Sequence, residues 1–314
     1  MKHLTYFAGS LLMLFVIAAC SEDETITPRP EKNWLVVEDN SSNELDRTRY
    51  EVFQTTGIPV YYNDTIGSEQ RTTLAGQPYT YYEVLQVFYN PGSATPSPKT
   101  SNYTLSDDKE SMLSVVKFLR DDVFPLLSDE LYVPSVLLVD TLNSTQGTVA
   151  YKGLNTIVLS DVSSFPSMDE KARKAYRSAF LRAVVASSLM TKEEEWLEDN
   201  FFALTYAVNP DNLTYLYSTA SVGYMVYKAL GNFPLEEQKL STLGFIGTRT
   251  KPTPGSAERM WFVPEKGQDV SQFCEAIFTY SEAEFKALHA DEPVTLAKFE
   301  VLRNKLIEYG FNLD

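Results

Sequence analysis

The sequence predicts an α+β fold, with strands mainly in the N-terminal half and helices mainly in the C-terminal half. Short segments rich in β-branched and aromatic residues are concentrated before residue 160. Longer segments with apolar residues at helical spacing are concentrated after it. The two kinds of segment do not alternate regularly along the chain, which disfavours a doubly wound parallel sheet.

The predicted strands share a short length, an apolar or aromatic composition and bounding turn residues. The segment 79–89 alternates most clearly, and 136–139 is a continuous apolar run that is typical of a central strand. A loop rich in Pro, Gly and Ser is predicted at 90–99. Strands are predicted at 34–37, 58–62, 79–89 and 136–139, with a hairpin that joins 147–151 to 156–160.

Helices are predicted where apolar residues recur every three to four positions. The first is capped by Ser106 and ends near Pro125. The clearest covers 168–190, where Ser167 and Glu170 have the spacing of a capping box and one face is apolar throughout. Further helices are predicted at 213–230, 235–243, 281–290 and 294–309, and the segment 244–264 is predicted to be irregular.

The N-terminus has the pattern of an export signal. Lys2 precedes an apolar run that is too short to span a bilayer, and the run ends in Ile17-Ala18-Ala19-Cys20. Small residues before a cysteine resemble a bacterial lipobox, which implies removal of 1–19 and lipidation of Cys20. An ordinary secretory signal that happens to precede a cysteine is the alternative.

The residues after Cys20 predict a flexible tether over 20–32. They include the acidic run Ser21-Glu22-Asp23-Glu24, which resembles the surface-export signal of Bacteroidetes lipoproteins, and they lack apolar periodicity. We therefore expect a lipid-anchored outer-membrane protein that faces the cell exterior. The remaining residues, 33–314, are predicted to form a single domain.

Composition restricts the possible partners. The formal net charge is −15, and no basic stretch is present. Nucleic-acid binding is therefore excluded as an expected function, because it requires a concentration of Lys and Arg.

The chain has too few histidines to form a metal site that depends on several imidazole ligands. The chain has two histidines, His3 and His289, and His3 lies in the predicted signal peptide. A metal site built on several imidazoles cannot be assembled from His289 alone. We therefore expect neither a metal nor another cofactor.

Four parts of the chain, taken in order, resemble a known family. They are 56–63, the strand and hairpin that lead into 168–190, the stretch 206–211, and 302–314. Their order and spacing resemble Bacteroidetes lipoproteins described as zinc metallopeptidases, which are associated with TonB-dependent nutrient import of the starch-utilisation type. The resemblance implies a zincin-like α+β domain.

The resemblance also implies where a zinc site would lie. Active members should carry His-Glu-x-x-His on the helix that matches 168–190, because two His four residues apart can grip one zinc ion while the Glu activates a bound water. Here the two His positions fall on Val184 and Ser188, and the Glu position falls on Val185. The downstream stretch 212–217, where the family has an acidic ligand-bearing region, contains no carboxylate.

Other chemical groups give weaker indications. Cys274 lies in an apolar stretch and is predicted to be a buried hydrophobic residue rather than a nucleophile. His289 is predicted near a helix C-terminus, and no Gly-x-Ser-x-Gly elbow is present to favour a Ser-His-Asp site. Carboxylate pairs such as those within 193–195 and 236–237 could catalyse glycoside hydrolysis without His, but charge runs at helix ends are usually solvated, and nothing singles out one pair.

Two short motifs resemble the Bacteroidetes O-glycosylation pattern of Asp, then Ser or Thr, then an apolar residue. They begin at Asp64 and Asp140. Chance matches to so short a pattern are common.

These observations predict a non-catalytic surface lipoprotein, a degenerate relative of metallopeptidases that serves as a binding or accessory component of a TonB-dependent uptake system. The expected partners are the membrane, through the lipid anchor, the transporter with its partner lipoprotein, and a peptide or glycan ligand. The alternative is an active hydrolase that uses carboxylates or a Ser without zinc. A structural or adhesive surface protein is a third possibility.

Overall fold

The fold is mixed α+β, with strands mainly in the N-terminal half and helices mainly in the C-terminal half. It is seen in a computed structural model that describes residues 32–88, 102–128, 130–144, 147–208, 217, 240–247 and 264–313. The predicted signal peptide, Cys20, the loop 90–99, the helix 213–230 apart from Tyr217, and most of 235–264 lie outside the described residues.

The strands fall into a main sheet and a separate hairpin. In chain order they are β1 (Val60–Tyr61), β2 (Thr65–Thr72), β3 (Pro78–Val84), β4 (Asn102–Leu105), β5 (Val136–Asn143), β6 (Ala150–Lys152) and β7 (Ile157–Leu159).

The α-helices differ widely in length and are joined in places by π-helical or 3₁₀ turns. In chain order they are α1 (Glu44–Thr56), α2 (Lys109–Phe118), α3 (Glu170–Lys192), α4 (Glu194–Trp196), α5 (Ala203–Val208), α6 (Lys266–Thr279), α7 (Glu282–Leu288) and α8 (Pro293–Glu308).

Strand β5 is the centre of the main sheet. It pairs in parallel with β1 and with β7, so that Val136 lies opposite both Val60 and Ile157. Strand β6 extends the sheet antiparallel to β7, while β4 pairs antiparallel with the far end of β5. The first four residues of β5 are all buried, as expected for a strand covered on both faces. The predicted central strand and the predicted hairpin are therefore confirmed.

Helix α3 packs on β6 and β7 and along α6, and it is more deeply buried than the sequence predicts. A single apolar face is expected from its periodicity, yet every residue from 178 to 186 is buried. A helix that is buried around its whole circumference lies in the interior of a domain rather than on its surface. The physical reason is that α6, which was not predicted, covers a second side of α3.

The hairpin of β2 and β3 stands apart from the main sheet, since these strands pair only with each other within the described residues. The predicted strand 79–89 is confirmed over Pro78–Val84. The predicted strand 34–37 is wrong, because this segment joins no ladder. Its carbonyls at Trp34 and Val36 each accept a hydrogen bond of 3.2 Å from the Tyr61 hydroxyl, and the Trp34 ring lies against Gly67 of β2.

Two helix starts differ from the prediction by two residues each. Asp108, rather than Ser106, caps α2 by accepting a hydrogen bond from the backbone of Ser111. Asp169, rather than Ser167, caps α3 by accepting one from Ala172. An Asp side chain is as good a cap as Ser, and in each case it lies closer to the first helical turn.

The last two helices are confirmed. Ser281 caps α7 in a capping box with Glu284, and α8 is followed by Gly310 at a φ of +87°, a conformation that favours glycine. None of the helices in the described ranges has the length and apolar character that a membrane crossing requires.

Candidate functional site

The positions that the resemblance assigns to a zinc site lie in the middle of α3. Val184 is 3% exposed and Val185 is 1% exposed, and both belong to the main hydrophobic core. Ser188, one turn later, is half-buried. The structure thus places the three positions together, but in a packed interior.

The packing around these positions is held by a buried arginine from the same helix. Arg182 donates a 2.9 Å hydrogen bond to the carbonyl of Ala150 in β6 and a 3.1 Å hydrogen bond to the Ser271 hydroxyl in α6. It also forms an ion pair with Glu275 at 2.9 Å. Burial lowers the pKa of Arg182, and Glu275 opposes this effect. Arg182 therefore connects α3 to both the sheet and α6, and these contacts fix the segment of α3 that contains Val184.

The described part of the chain contains no group of three or more His, Cys, Asp or Glu side chains that could hold a metal ion. His289 follows α7 as its C-cap, as predicted, and its Nδ1 lies 2.5 Å from a carboxylate oxygen of Glu292. Its ring packs on Phe285 with centroids 4.3 Å apart. His289 is therefore engaged in capping and packing.

Cys274 is fully buried in α6, as predicted. Burial raises the pKa of its thiol to about 12, because an apolar setting disfavours the thiolate. A nucleophilic cysteine requires the opposite shift.

A buried polar cluster that sequence reasoning missed lies between α6 and α8. The ammonium of Lys298 lies 2.5 Å from Asp269, and both side chains are fully buried. The Tyr217 hydroxyl donates a 2.7 Å hydrogen bond to the same carboxylate oxygen, and Lys298 also donates to Thr205 at 3.1 Å. Burial raises the pKa of Asp269 and lowers that of Lys298, and their attraction opposes both shifts.

Aromatic rings enclose this cluster. Lys298 lies 4.3 Å from the ring centroid of Phe201, 4.9 Å from that of Phe273 and 5.0 Å from that of Phe245. The contributing residues are far apart in the sequence and none is part of a motif, so no local signal could have indicated the cluster. Because both charged side chains are sealed from solvent, the cluster is placed to hold the helices together rather than to act on a substrate.

The two predicted groups of carboxylates have different outcomes in the structure. Glu193 accepts a 2.6 Å hydrogen bond from Tyr309 and pairs with Lys305 at 3.1 Å, which explains it as a link to α8. The pair at 236–237 lies outside the described residues.

A different pair of acids has two features associated with function. Asp161 lies just after β7 and Asp140 lies within β5, and the backbone amide of Asp161 donates a hydrogen bond of 3.2 Å to the Asp140 carbonyl. Among described residues other than glycine, Asp161 alone has a positive φ, at 59°. Burial raises the pKa of Asp161, and the charge of Asp140 adds to this rise. Strained backbone and raised carboxyl pKa values are enriched at active sites.

The two motifs that resemble O-glycosylation sites place their threonines at the surface. Thr65 and Thr141 are both exposed. Thr141 lies within β5 and shares a 2.6 Å hydrogen bond with Thr104 of β4, so its hydroxyl is already engaged.

Comparison of the chain with protein-family models, with curated proteins and with solved structures found no match.

Proposed function

We propose that this protein is a non-catalytic surface lipoprotein, a degenerate relative of zinc metallopeptidases that serves a TonB-dependent nutrient-uptake system as a binding or accessory component. The observation that supports this proposal best is the burial of Val184 and Val185 within α3. A catalytic metal site must keep an open coordination position that substrate and water can reach. Here apolar side chains occupy the two positions, and both are buried in the main hydrophobic core.

The other parts of the proposal rest on the sequence. The lipobox pattern at Cys20 supports anchoring to the outer membrane, and the acidic run that follows it supports exposure to the exterior. The order of segments that resembles the metallopeptidase family supports a zincin-like assignment and the partnership with a TonB-dependent transporter and its partner lipoprotein.

Metal analysis of the purified protein tests the loss of catalysis. We expect clearly substoichiometric zinc after mild chelation, because the described residues offer no ligand set. Stoichiometric zinc that survives chelation would overturn this part of the proposal.

Purification from cross-linked outer membranes tests the accessory role. We expect the chain to recover a TonB-dependent transporter, whereas recovery of the chain alone would contradict that role.

The alternative, a hydrolase that uses carboxylates without zinc, is favoured by one observation, the strained and partly buried Asp161 beside Asp140. A screen against glycan and peptide substrates, followed by Asp161→Asn, tests it. Hydrolysis that is lost in Asp161→Asn at an unchanged melting temperature would favour the enzyme. Asp199→Asn, which changes an exposed acid in the π-helical turn Leu197–Phe202, is the matched control.

A further inference from the structure

Three basic side chains border one groove near the start of α3. The groove has a volume of about 410 Å³, within the usual range for small-molecule sites. Its walls combine three cations with two acids and two apolar side chains: Arg173, Lys174, Arg177, Asp122, Glu170, Phe118 and Met168.

The three cations are not explained by ion pairing. Within the described residues, none of Arg173, Lys174 and Arg177 forms a salt bridge, although the whole chain has 42 acidic residues against 27 basic ones. Arg173 and Arg177 are also four residues apart on one helix, a spacing at which like charges repel each other. Salt bridges within the described residues therefore do not account for the three cations, although the charge of Lys174 acts on Glu284.

One wall of the groove is rigid. The ring of Phe118 packs on Phe165 at 4.9 Å and on Tyr176 at 6.1 Å between centroids. The guanidinium of Arg173 lies 5.1 Å from the ring centroid of Phe165. Tyr176 is itself fixed by a 2.6 Å hydrogen bond to the carbonyl of Ser160. The aromatic side chains therefore hold Phe118 and Arg173 in place before any ligand arrives, which lowers the entropic cost of binding.

We propose that this groove binds a small acidic sugar, a ligand that carries at least two carboxylate groups together with several hydroxyls. Guanidinium groups bind carboxylates through paired hydrogen bonds, and two of them with Lys174 can hold two acid groups. The carboxylates of Asp122 and Glu170 accept hydrogen bonds from ligand hydroxyls, and a sugar ring packs against Phe118 and Met168. A ligand that carries carboxylates alone would leave Asp122 and Glu170 without a hydrogen-bond donor.

This inference does not depend on the proposed function, since an enzyme with the same groove would bind the same ligand. It is tested by isothermal titration calorimetry of the full chain carrying Cys20→Ala, with trigalacturonate as the probe. We expect saturable binding that weakens between about 50 and about 500 mM NaCl, because the contacts are ionic and partly exposed. The neutral methyl ester of the same trisaccharide should not bind.

Substitutions then locate the site. Arg173→Gln with Arg177→Gln should weaken binding by about tenfold or more, because both guanidinium–carboxylate pairs are lost and the groove is partly exposed. Arg173→Lys with Arg177→Lys should bind with intermediate affinity, because the charge remains but the paired geometry is lost. Arg47→Gln with Arg71→Gln removes the same charge outside the groove lining and should leave binding unchanged.

Two results would overturn the proposal. One is the absence of trigalacturonate binding at millimolar concentration in a chain that circular dichroism shows to be folded. The other is binding that the Arg173→Gln and Arg177→Gln substitutions do not weaken. Triglutamate is the third probe, after trigalacturonate and its neutral methyl ester. If it binds while trigalacturonate does not, the groove recognises acidic peptides, and the assignment to a sugar is wrong.

Discussion

The ammonium of Lys298 and the carboxylate of Asp269 form an ion pair of 2.5 Å with both side chains fully buried. One oxygen of Asp269 accepts from Lys298 and from Tyr217, while the other has no hydrogen-bond partner among the described residues. Tyr217 brings a distant part of the chain to a contact between α6 and α8. This pair therefore joins three separate segments through charges that are costly to bury.

Removing one charge of this pair should be strongly destabilising. Lys298→Met leaves the Asp269 carboxylate buried without its counter-ion, and we expect a loss of about 3–5 kcal/mol in the free energy of unfolding. Urea denaturation followed by circular dichroism measures the change. The double substitution Lys298→Met with Asp269→Leu should recover most of the loss, because no uncompensated charge remains.

The matched control for this prediction is Lys286→Met in α7. Lys286 forms an exposed ion pair with Glu282, and such pairs contribute about 0–1 kcal/mol. A similar loss in Lys286→Met and Lys298→Met would show that the buried pair has no special role.

The free energy of unfolding should decrease at acidic pH because Glu193 becomes protonated. Its hydrogen bond from Tyr309, and then that from Lys305, hold the pKa of this carboxyl below its ordinary value. A carboxyl with a lowered pKa in the folded state stabilises the protein above the pKa of the unfolded chain, and this contribution disappears as the pH falls through the folded-state value. We expect Glu193→Gln to cost on the order of 1 kcal/mol at pH 7 and progressively less as the pH falls below the ordinary pKa of a glutamate.

Thermal denaturation at a series of pH values measures this difference. Glu194→Gln changes a neighbouring exposed acid that forms no hydrogen bond through its side chain with a described residue. Its effect should be small at every pH. A pH-independent loss in Glu193→Gln would mean that ionisation of Glu193 is not coupled to folding.

Restoring the glutamate of a zinc motif should not restore a site. Val185→Glu places a carboxylate in a position that is 1% exposed, and we expect a loss of about 3 kcal/mol or more. Differential scanning fluorimetry in the presence and absence of zinc measures both stability and metal binding. Thr191→Glu, at an exposed position of the same helix, should be nearly neutral. If Val185→Glu were as stable as the parent chain, the closed interior described above would be wrong.

The thiol of Cys274 should be inert in the folded protein. It is fully buried, and its pKa is raised to about 12, so very little thiolate exists at pH 8. In a chain carrying Cys20→Ala, we expect a thiol reagent to label Cys274 only after denaturation. Ser164→Cys in the same background provides an exposed thiol for comparison and should react within the time of mixing. Labelling of Cys274 at the same rate would contradict its burial.

Lipidation depends on one residue. We expect the parent chain to incorporate radioactive palmitate and to fractionate with membranes, and Cys20→Ala to lose both properties. Cys274→Ala is the matched control and should leave labelling unchanged, because a buried thiol is not a substrate for acylation. Persistent labelling of Cys20→Ala would disprove the lipobox interpretation.

Local patterns predicted the central strand, the β6–β7 hairpin and the last two helices, because each carries its own signal. The run 136–139 is apolar on both faces, and α7 begins with a complete capping box. The caps of α2 and α3 were misplaced because Ser and Asp candidates lie within three residues of each other. Either can accept the capping hydrogen bond, and only the path of the chain into the core selects one.

Helices α1 and α6 escaped sequence reasoning for another reason. Helix α1 is largely polar and has only a narrow buried stripe that includes Leu45 and Val52, whereas α6 begins with a polar turn and has most of its apolar residues at 273–278. A narrow stripe is a weak periodic signal, and such helices are stabilised mainly by tertiary packing. Because α6 was not predicted, the burial of α3 was underestimated. Helix α6 covers the face of α3 that the periodicity had assigned to solvent.

By itself, the sequence determined the absence of a histidine-rich metal site and the general division into strands and helices, since composition and periodicity are local properties. The tertiary structure decided that Val184 and Val185 are sealed, that Asp269 meets Lys298, and that Arg173 and Arg177 border a groove with Phe118. These are contacts between residues distant in the chain. Their energies depend on burial and mutual geometry, which exist only once the chain has folded.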